Sequence, residues 1–489
     1  MAESGSQAAS TAKDDTKPQT FRIPDEFLRD TKKEDEKQED KAGAQSEPAE
    51  GLPMIMFING SSGGHVGPAL SKKFSQVVGS KQVFDLSKDK PNDVLAKLFD
   101  NLSKAEQAGD SRATGVRNHL RVLACGGDGT VAWVLTTIWN LDLKPPPPVA
   151  VIPLGTGNGL SQNFGWGKTM RPEWLTSEDS MKQELQALVH ARQRDIDLWK
   201  VQLAHPKAEF KDDERPDALQ IVEGDEQVPR GMKGMFTYYC TAGVDAEVAY
   251  RFHKLRKEHP GIASKRKVNE GLYAGMGVRT GWFCGAKPLR ETVATLKVKK
   301  SGQDWQEVKL ASNIYAILII NLQTYSGGRD VWGLHDSDRT GGAKRPEEAQ
   351  KGFRKPIFDD GLIEVVGLKT GWHTVVVLAQ LSRRIHGKRL AQGNEVMVEF
   401  RDSAKTAGHA AYMRLDGEPW MQDISGATQE QPLTVHIKHA GKGSMLINTD
   451  KLPGTAQKAM ALAEREEQLS NPAPETSKHV QRNATLAQN

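Results

Sequence analysis

The sequence predicts an α/β domain with a parallel sheet and Gly-rich loops, followed by a β-rich α+β domain, with disordered tails at both ends. Three apolar runs that each lead into a Gly-rich turn predict the first domain, because such turns typically join the strands and helices of a parallel sheet. Short strand-like runs after residue 233 predict the second domain. A chain of 489 residues has room for both.

The first 50 residues are acidic and poor in large apolar side chains. They contain thirteen acidic and eight basic residues, a net charge of −5, whereas the whole chain carries +4 and the remainder therefore about +9. This composition, without any lasting periodicity, predicts disorder. The overall charge is too small for this length to indicate nucleic-acid binding.

The first domain is predicted from units of strand, turn and helix. Residues 54–58, 120–125 and 149–152 are apolar runs of the buried-strand type, and 131–141 has a helical pattern. Beyond the polar stretch 207–231, the second domain is predicted to contain two helices. They are expected over 247–257 and 374–384. Its strands are expected over 237–244, 294–299, 314–322, 362–368, 396–400 and 433–437.

The turn after each of the first three strands has the composition of a phosphate-binding loop. Glycine lets backbone N–H groups crowd an anion, and a helix that begins at the loop adds a favourable dipole. A tight structural turn would explain one such loop, but three at the carboxyl edge of one sheet favour phosphate binding. The predicted binding residues are Asn59, Ser61, Ser62, Gly63, Gly126, Gly127, Gly129, Thr130, Gly155, Thr156, Gly157 and Asn158.

These motifs resemble the diacylglycerol kinases, in the wider superfamily of diacylglycerol, sphingosine and NAD kinases. Gly126-Gly127-Asp128-Gly129-Thr130 and Pro153-Leu154-Gly155-Thr156-Gly157-Asn158 are similar to the catalytic domain of that family. Residues 243–249, 359–364 and 413–420 are similar to its accessory domain. The resemblance spans about 54–447 and is closest to the short plant-type enzymes without C1 domains.

Composition and strand pattern, together with the resemblance, predict a division of the chain into five segments. Residues 1–50 are a disordered acidic tail, 51–204 an ATP-binding catalytic domain and 205–232 a linker or insertion. Residues 233–447 are an accessory lipid-kinase domain, and 448–489 a disordered or weakly helical tail.

The resemblance also implies roles for individual residues. The Gly-rich loops would hold the ATP phosphates, with Asp128 at the Mg²⁺–ATP centre. Asp416 is the candidate general base, supported by Glu418, although either Asp128 or Asp416 could accept the proton. Asp360 is a second candidate Mg²⁺ ligand, while an Asp-Gly turn opening a strand explains it equally well. The family usually has Asp where this chain has Gly159, so we expect a less rigid loop and reduced activity.

A basic patch is predicted to dock on an anionic membrane surface. It consists of Arg251, Lys254, Arg256, Lys257, Lys265, Arg266 and Lys267, and a solvated helix face is the alternative. Core packing is favoured over interfacial anchoring for most of Trp166, Trp282, Trp332 and Trp420. The sequence has no secretory signal and no apolar run long enough to span a bilayer, which predicts a cytoplasmic, peripheral protein.

The function implied is an ATP-dependent lipid kinase that converts diacylglycerol to phosphatidic acid by Mg²⁺-assisted phosphoryl transfer. Its expected partners are diacylglycerol and an anionic membrane, and not nucleic acid. The alternatives are a sphingoid-base, ceramide or NAD kinase of the same superfamily, or a non-catalytic protein that binds nucleotide or lipid. Three acidic residues expected in catalysis, Asp128, Asp416 and Glu418, are all present.

Overall fold

A computed structural model describes most of the two predicted domains. The described residues are 21–31, 52–60, 62, 66–155, 157–205, 215–223, 230–259, 287–325, 328–333, 352–369, 386–403 and 409–452, with 454, 457 and 461. Several predictions lie outside them: Ser61, Gly63, Thr156, Lys265, Arg266, Lys267, Trp282 and the helix over 374–384.

The helices of the described residues begin at recognisable sequence signals. Proline stands in the first turn of the first two helices, and the side chains of Asp110 and Ser177 cap two later ones. The helices are α1 (Gly67–Val78), α2 (Pro91–Gln107), α3 (Ser111–His119), α4 (Asp128–Asn140), α5 (Gly159–Asn163), α6 (Glu173–Thr176), α7 (Glu178–His190) and α8 (Val244–Glu258).

The strands form two large sheets and one short hairpin. They are β1 (Met54–Ile58), β2 (Val83–Asp85), β3 (Arg121–Gly126), β4 (Val149–Pro153), β5 (Arg192–Ala204), β6 (Leu219–Val222), β7 (Gly231–Phe236), β8 (Tyr239–Gly243), β9 (Val293–Lys299), β10 (Gln306–Glu307), β11 (Ile314–Ile320), β12 (Thr324–Tyr325), β13 (Arg329–Asp330), β14 (Ile363–Lys369), β15 (Lys388–Gly393), β16 (Glu395–Phe400), β17 (Ala410–Leu415), β18 (Glu418–Asp423) and β19 (Leu433–Ile447). The predicted combination of an α/β domain and a β-rich domain is confirmed.

The first sheet contains the three predicted parallel strands and one more, β2, in the order β4-β3-β1-β2. Every residue of β1 and β4 is buried, as expected for strands covered on both faces. Right-handed crossovers place α1 on one face and α2, α3 and α4 on the other. Consistent with this, α1 packs beside α6, whereas α2 packs against α3 and α4.

The first sheet continues into the second domain through β19. This strand pairs in parallel with β4 at Met445 and runs antiparallel to β5 along almost its whole length. Strands β16, β9 and β10 extend the sheet beyond it. The structure differs from the expected strand over 433–437, because β19 extends to Ile447 and its end joins the first sheet. The predicted linker 205–232 likewise contains β6, which pairs with β7 through a buried Leu219.

The second sheet is antiparallel in the order β15-β14-β11-β8-β17-β18. An apolar core fills the space between it and the extended part of the first sheet. The two sheets meet around β7 and β8, which are consecutive along the chain. This arrangement brings the β17–β18 turn towards the loops of the first domain.

Part of the predicted disordered N-terminal tail is packed on the first domain. Phe27 and Leu28, in a short 3-10 helix, are buried, and so is Ile23. The Gln82 side chain binds the start of this segment, because it accepts from the Ile23 N–H at 2.8 Å and donates to the Phe21 carbonyl at 2.8 Å. A few apolar residues within a polar sequence are therefore enough to order residues 21–31.

Core packing is confirmed for three of the tryptophans considered as interfacial anchors. Trp166, Trp332 and Trp420 are 6%, 2% and 1% exposed. Within the described ranges, no helix has the length and apolar character needed to cross a bilayer.

Candidate functional site

The second and third Gly-rich loops meet at the carboxyl edge of the parallel strands. A Cβ on Gly155 would lie 2.6 Å from the Cα of Gly127, so only glycines allow this approach. Asn158 adopts a positive φ of 51° and donates to the Gly155 carbonyl at 2.6 Å. Asn59, after β1, donates to the Thr130 hydroxyl at 3.2 Å. The described parts of the three loops therefore form one backbone surface.

Asp128 joins the second loop to the third. It is the first residue of α4, and its carboxylate accepts from the backbone N–H groups of Gly159 at 3.0 Å and Leu160 at 2.9 Å. A Cβ on Gly157 would lie 3.4 Å from the same carboxylate. Burial raises the pKa of Asp128, although these two donors and Arg414 act in the opposite direction.

Asp416 is buried in the turn between β17 and β18. Asp416 and Gly417 both adopt positive φ, 42° and 104°, which is the geometry of a two-residue hairpin turn that favours Asp-Gly. The Asp416 carboxylate accepts from the backbone N–H groups of Thr237 at 2.8 Å and of Tyr238 and Tyr239 at 2.9 Å. Burial raises its pKa to about 7 despite these donors. At 3% exposure, Asp416 is not a surface turn residue.

Glu418 brings a carboxylate of the second domain to a loop of the first. A Cβ on Gly129 would lie 3.2 Å from its Oε1, and its Oε2 accepts from the Asp217 N–H at 2.9 Å. Burial, and then the charge of Asp217, raise the pKa of Glu418 to about 7. This closeness to Gly129 places the side chain beside the predicted phosphate loop.

Gly159 is held tightly, in contrast to the less rigid loop expected from the missing Asp. Its N–H binds Asp128, and it begins α5. A Cβ at this position would overlap the ring of Tyr238, which is itself 2% exposed. Tyr238 therefore occupies the space that a side chain at 159 would need.

Three residues that the sequence did not single out complete the surroundings of these acids. Tyr238 and Tyr239 pack edge to face with ring centroids 4.7 Å apart, and the Arg414 guanidinium lies over the Tyr239 ring at 5.3 Å. The positive charge of Arg414 lowers the pKa of both Asp128 and Asp245 against the effect of burial. The only sequence signal was position, since Arg414 lies within one of the quoted motifs.

Asp360 does not lie with the loops. It stands in the turn before β14, where its charge, after burial, raises the pKa of Glu364 well above the ordinary value. Asp197, which contacts His439 Nε2 at 2.9 Å, belongs to the same group of acids. In the described part of the chain, no three His, Cys, Asp or Glu side chains are arranged to hold a metal ion. The two predicted Mg²⁺ ligands, Asp128 and Asp360, therefore belong to separate groups.

The described part of the basic patch lies on α8 and is partly neutralised. Arg251 pairs with Glu247 at 2.8 Å, and Lys254 lies 4.0 Å from Glu258. Arg256 lies over the ring of Phe252, and Lys257 belongs to the same last turn. Intrahelical pairs of this kind are typical of a solvated helix and reduce its net positive charge.

Comparison with known proteins identifies the family. Residues 53–201 match the diacylglycerol kinase catalytic domain, and residues 235–419 match the diacylglycerol kinase accessory domain. Diacylglycerol kinase 1 of Oryza sativa subsp. japonica is 35% identical over 417 residues, which cover 81% of this chain and 79% of the relative. Diacylglycerol kinase 5 of Arabidopsis thaliana is 35% identical over 425 residues, 83% of this chain and 79% of the relative.

A crystal structure of a diacylglycerol kinase from Bacillus anthracis str. Sterne is 14% identical, with a TM-score of 0.40, over 82% of this chain and 98% of that one. The two domain matches cover both parts of the site described above. The plant relatives exceed 30% identity over most of their length. This chain therefore belongs to the diacylglycerol kinase family and is an enzyme of that kind.

Proposed function

We propose that this enzyme transfers the γ-phosphate of ATP to the free hydroxyl of diacylglycerol and so forms phosphatidic acid. The observation that carries the proposal is the closeness of the Glu418 carboxylate to Gly129. Through it, a carboxylate of the second domain lies beside a Gly-rich loop of the first. The hydroxyl oxygen of the lipid attacks the γ-phosphorus, the bond to the β-phosphate bridging oxygen breaks, and ADP leaves.

The loops would bind the nucleotide through their backbone. Gly127 and Gly155 leave no side chain between the anion and the N–H groups, and α4 begins directly at the loop. Asn59 and Thr130, which are hydrogen-bonded to each other, border the same surface. Asp128 keeps the second and third loops together, so its loss would disturb both.

Asp128 is the residue that fits Mg²⁺. Proteins usually bind this ion through one or two carboxylates together with substrate phosphates, so a complete protein cage is not needed beside the loops. The ion would neutralise charge on the phosphate oxygens. Asp360 has no phosphate-binding loop beside it, and the described residues around it do not form a metal site. A metal at Asp360 stays a prediction without support from this geometry.

We assign the proton of the lipid hydroxyl to Asp416. A pKa of about 7 suits a general base near neutral pH. Three backbone N–H groups fix the carboxylate, whereas the Thr237 hydroxyl is a weaker donor at 3.3 Å from Oδ2. Arg414 offsets part of the negative charge around this site.

The test is phosphate transfer from labelled ATP with Mg²⁺ to mixed micelles of diacylglycerol, ceramide or sphingosine, and to free NAD in parallel. We expect labelled phosphatidic acid from the wild type, and its loss in Asp128→Asn and Asp416→Asn. Labelling of another acceptor would instead identify a sphingoid-base, ceramide or NAD kinase. ATP binding without labelling of any acceptor would identify a non-catalytic protein.

A further inference from the structure

The outward side of α4 carries two exposed tryptophans and no charged residue. Trp133 and Trp139 are 41% and 40% exposed, and they are the large apolar side chains exposed among the described residues. Asp128, at the first position, is the only charged residue of the helix. The solvent side of a surface helix is normally polar and charged, so this side is unusual. At 100° per residue the two indoles lie about 120° apart around α4 with Thr136 midway, so they bound one broad stripe.

The register of the first sheet places three lysines next to this stripe. The Trp139 indole lies over Gly441, and a Cβ on Gly443 would lie 3.2 Å from Leu135, so this half of β19 faces α4. Gly441 pairs with Leu198 of β5, and beyond this pair Lys438 pairs with Lys200 on the same face. Lys233 follows on β7, where Met235 pairs with Lys200.

The three lysines are exposed: Lys200, Lys233 and Lys438. None of the three forms an ion pair within the described residues, and like charges directly opposite each other destabilise a sheet. Glu395, across β16 from Lys438, is already bound by His436 at 2.8 Å and lies 3.8 Å from Lys299. An external anion would remove this repulsion.

We propose that Trp133, Trp139, Lys200, Lys233 and Lys438, here called the α4 face, dock the enzyme on an anionic lipid bilayer. Tryptophan favours the level of the headgroups, and lysines beside it bind anionic lipids. Trp133 lies about 7.5 Å along the helix axis from Asp128, so docking would bring the bilayer close to the loops. The inference rests on the proposed function, since a kinase acting on diacylglycerol must approach a bilayer.

The test is flotation of the full chain, without ATP, on vesicles of phosphatidylcholine with or without phosphatidylserine. We expect Lys200→Gln/Lys438→Gln to weaken binding to the anionic vesicles about 30-fold, and Trp133→Gln to weaken binding to them about tenfold. Trp133→Phe should keep most of the vesicle binding that Trp133→Gln loses. Lys72→Gln/Lys73→Gln, on α1 at the opposite face of the sheet, is the charge-matched control and should change binding less than about twofold.

Several outcomes would overturn the proposal. One is equal binding by the wild type and both α4-face variants, and another is a loss only in Arg256→Gln/Lys257→Gln of α8. A changed oligomeric mass in Trp133→Gln would make the face an interface between copies. If a variant fails to fold, the decisive measurement is tryptophan fluorescence of the wild type on vesicles with brominated lipid. Absence of quenching would then overturn the proposal. Vesicle binding without lipid phosphorylation would refute the proposed function and leave the α4 face standing.

Discussion

Two groups of buried acids differ in what surrounds them. Asp128 and Asp416 accept backbone N–H groups from the loop after β4 and from the segment between β7 and β8. Glu364 instead lies near other acids, Asp360 and Asp197, and the Gln392 side chain donates to it at 2.8 Å. Burial raises the pKa in both groups. A raised pKa therefore does not separate the proposed reaction site from a structural cluster, whereas convergence on the predicted phosphate-binding loops does.

The largest expected effect separates the first group from an ordinary turn acid. We expect Asp416→Asn to lower kcat at least about 100-fold, because it removes the proposed proton acceptor. Asp423→Asn, at the exposed far end of β18, is the matched control and should stay within about twofold. Labelled phosphate transfer at saturating ATP measures both. Near-normal turnover in Asp416→Asn would mean that Asp128 or Glu418, rather than Asp416, accepts the proton.

The second prediction concerns the tight contact between Gly159 and Tyr238. Gly159→Asp should lower kcat/KM for ATP about tenfold or more, because the new side chain overlaps the Tyr238 ring and displaces the N–H that binds Asp128. Combining it with Tyr238→Ala should recover part of the loss. Steady-state kinetics with varied ATP measure the effect. Full activity in Gly159→Asp alone would show that Tyr238 moves aside freely.

The third prediction is a pH dependence of turnover. Asp416 and Glu418 each have a pKa raised to about 7, so activity should fall below pH 7 as the base takes up a proton. The slope should approach tenfold per pH unit for one controlling group. Because the charge of Asp416 also raises the pKa of Glu418, the two groups titrate together. Glu418→Gln should therefore alter the pH dependence of turnover without removing that dependence. A flat profile of kcat/KM between pH 6 and 8 would contradict this role.

The sequence was sufficient to predict features that depend on residues adjacent in the chain. The Gly-rich turns after β1, β3 and β4, and the Asp416-Gly417 turn, are local patterns with local causes. The contact of Glu418 with Gly129 is different, since it depends on β17 pairing with β8 and on the place of β7 beside β5. Tyr238 and the α4 face escaped prediction for the same reason, because exposure and overlap arise only from packing.

The smallest expected effect belongs to Glu364 in the second group. Its pKa lies well above the ordinary value, so the folded protein keeps a proton that the unfolded chain loses above about pH 4.5. Stability should therefore fall as pH rises through this window. Glu364→Gln removes the titrating group, so its Tm should exceed that of the wild type by a margin that grows from pH 5 to pH 8.

Kinase activity should change less than about threefold in Glu364→Gln, because the residue lies with Asp197 and Asp360 rather than with the loops. A margin in Tm that is constant with pH would contradict the raised pKa. Magnesium sharpens the comparison further. A Tm of the wild type that rises with Mg²⁺, and does so much less in Glu364→Gln, would show that a cation rather than a proton neutralises this cluster, and the predicted metal role of Asp360 would then stand.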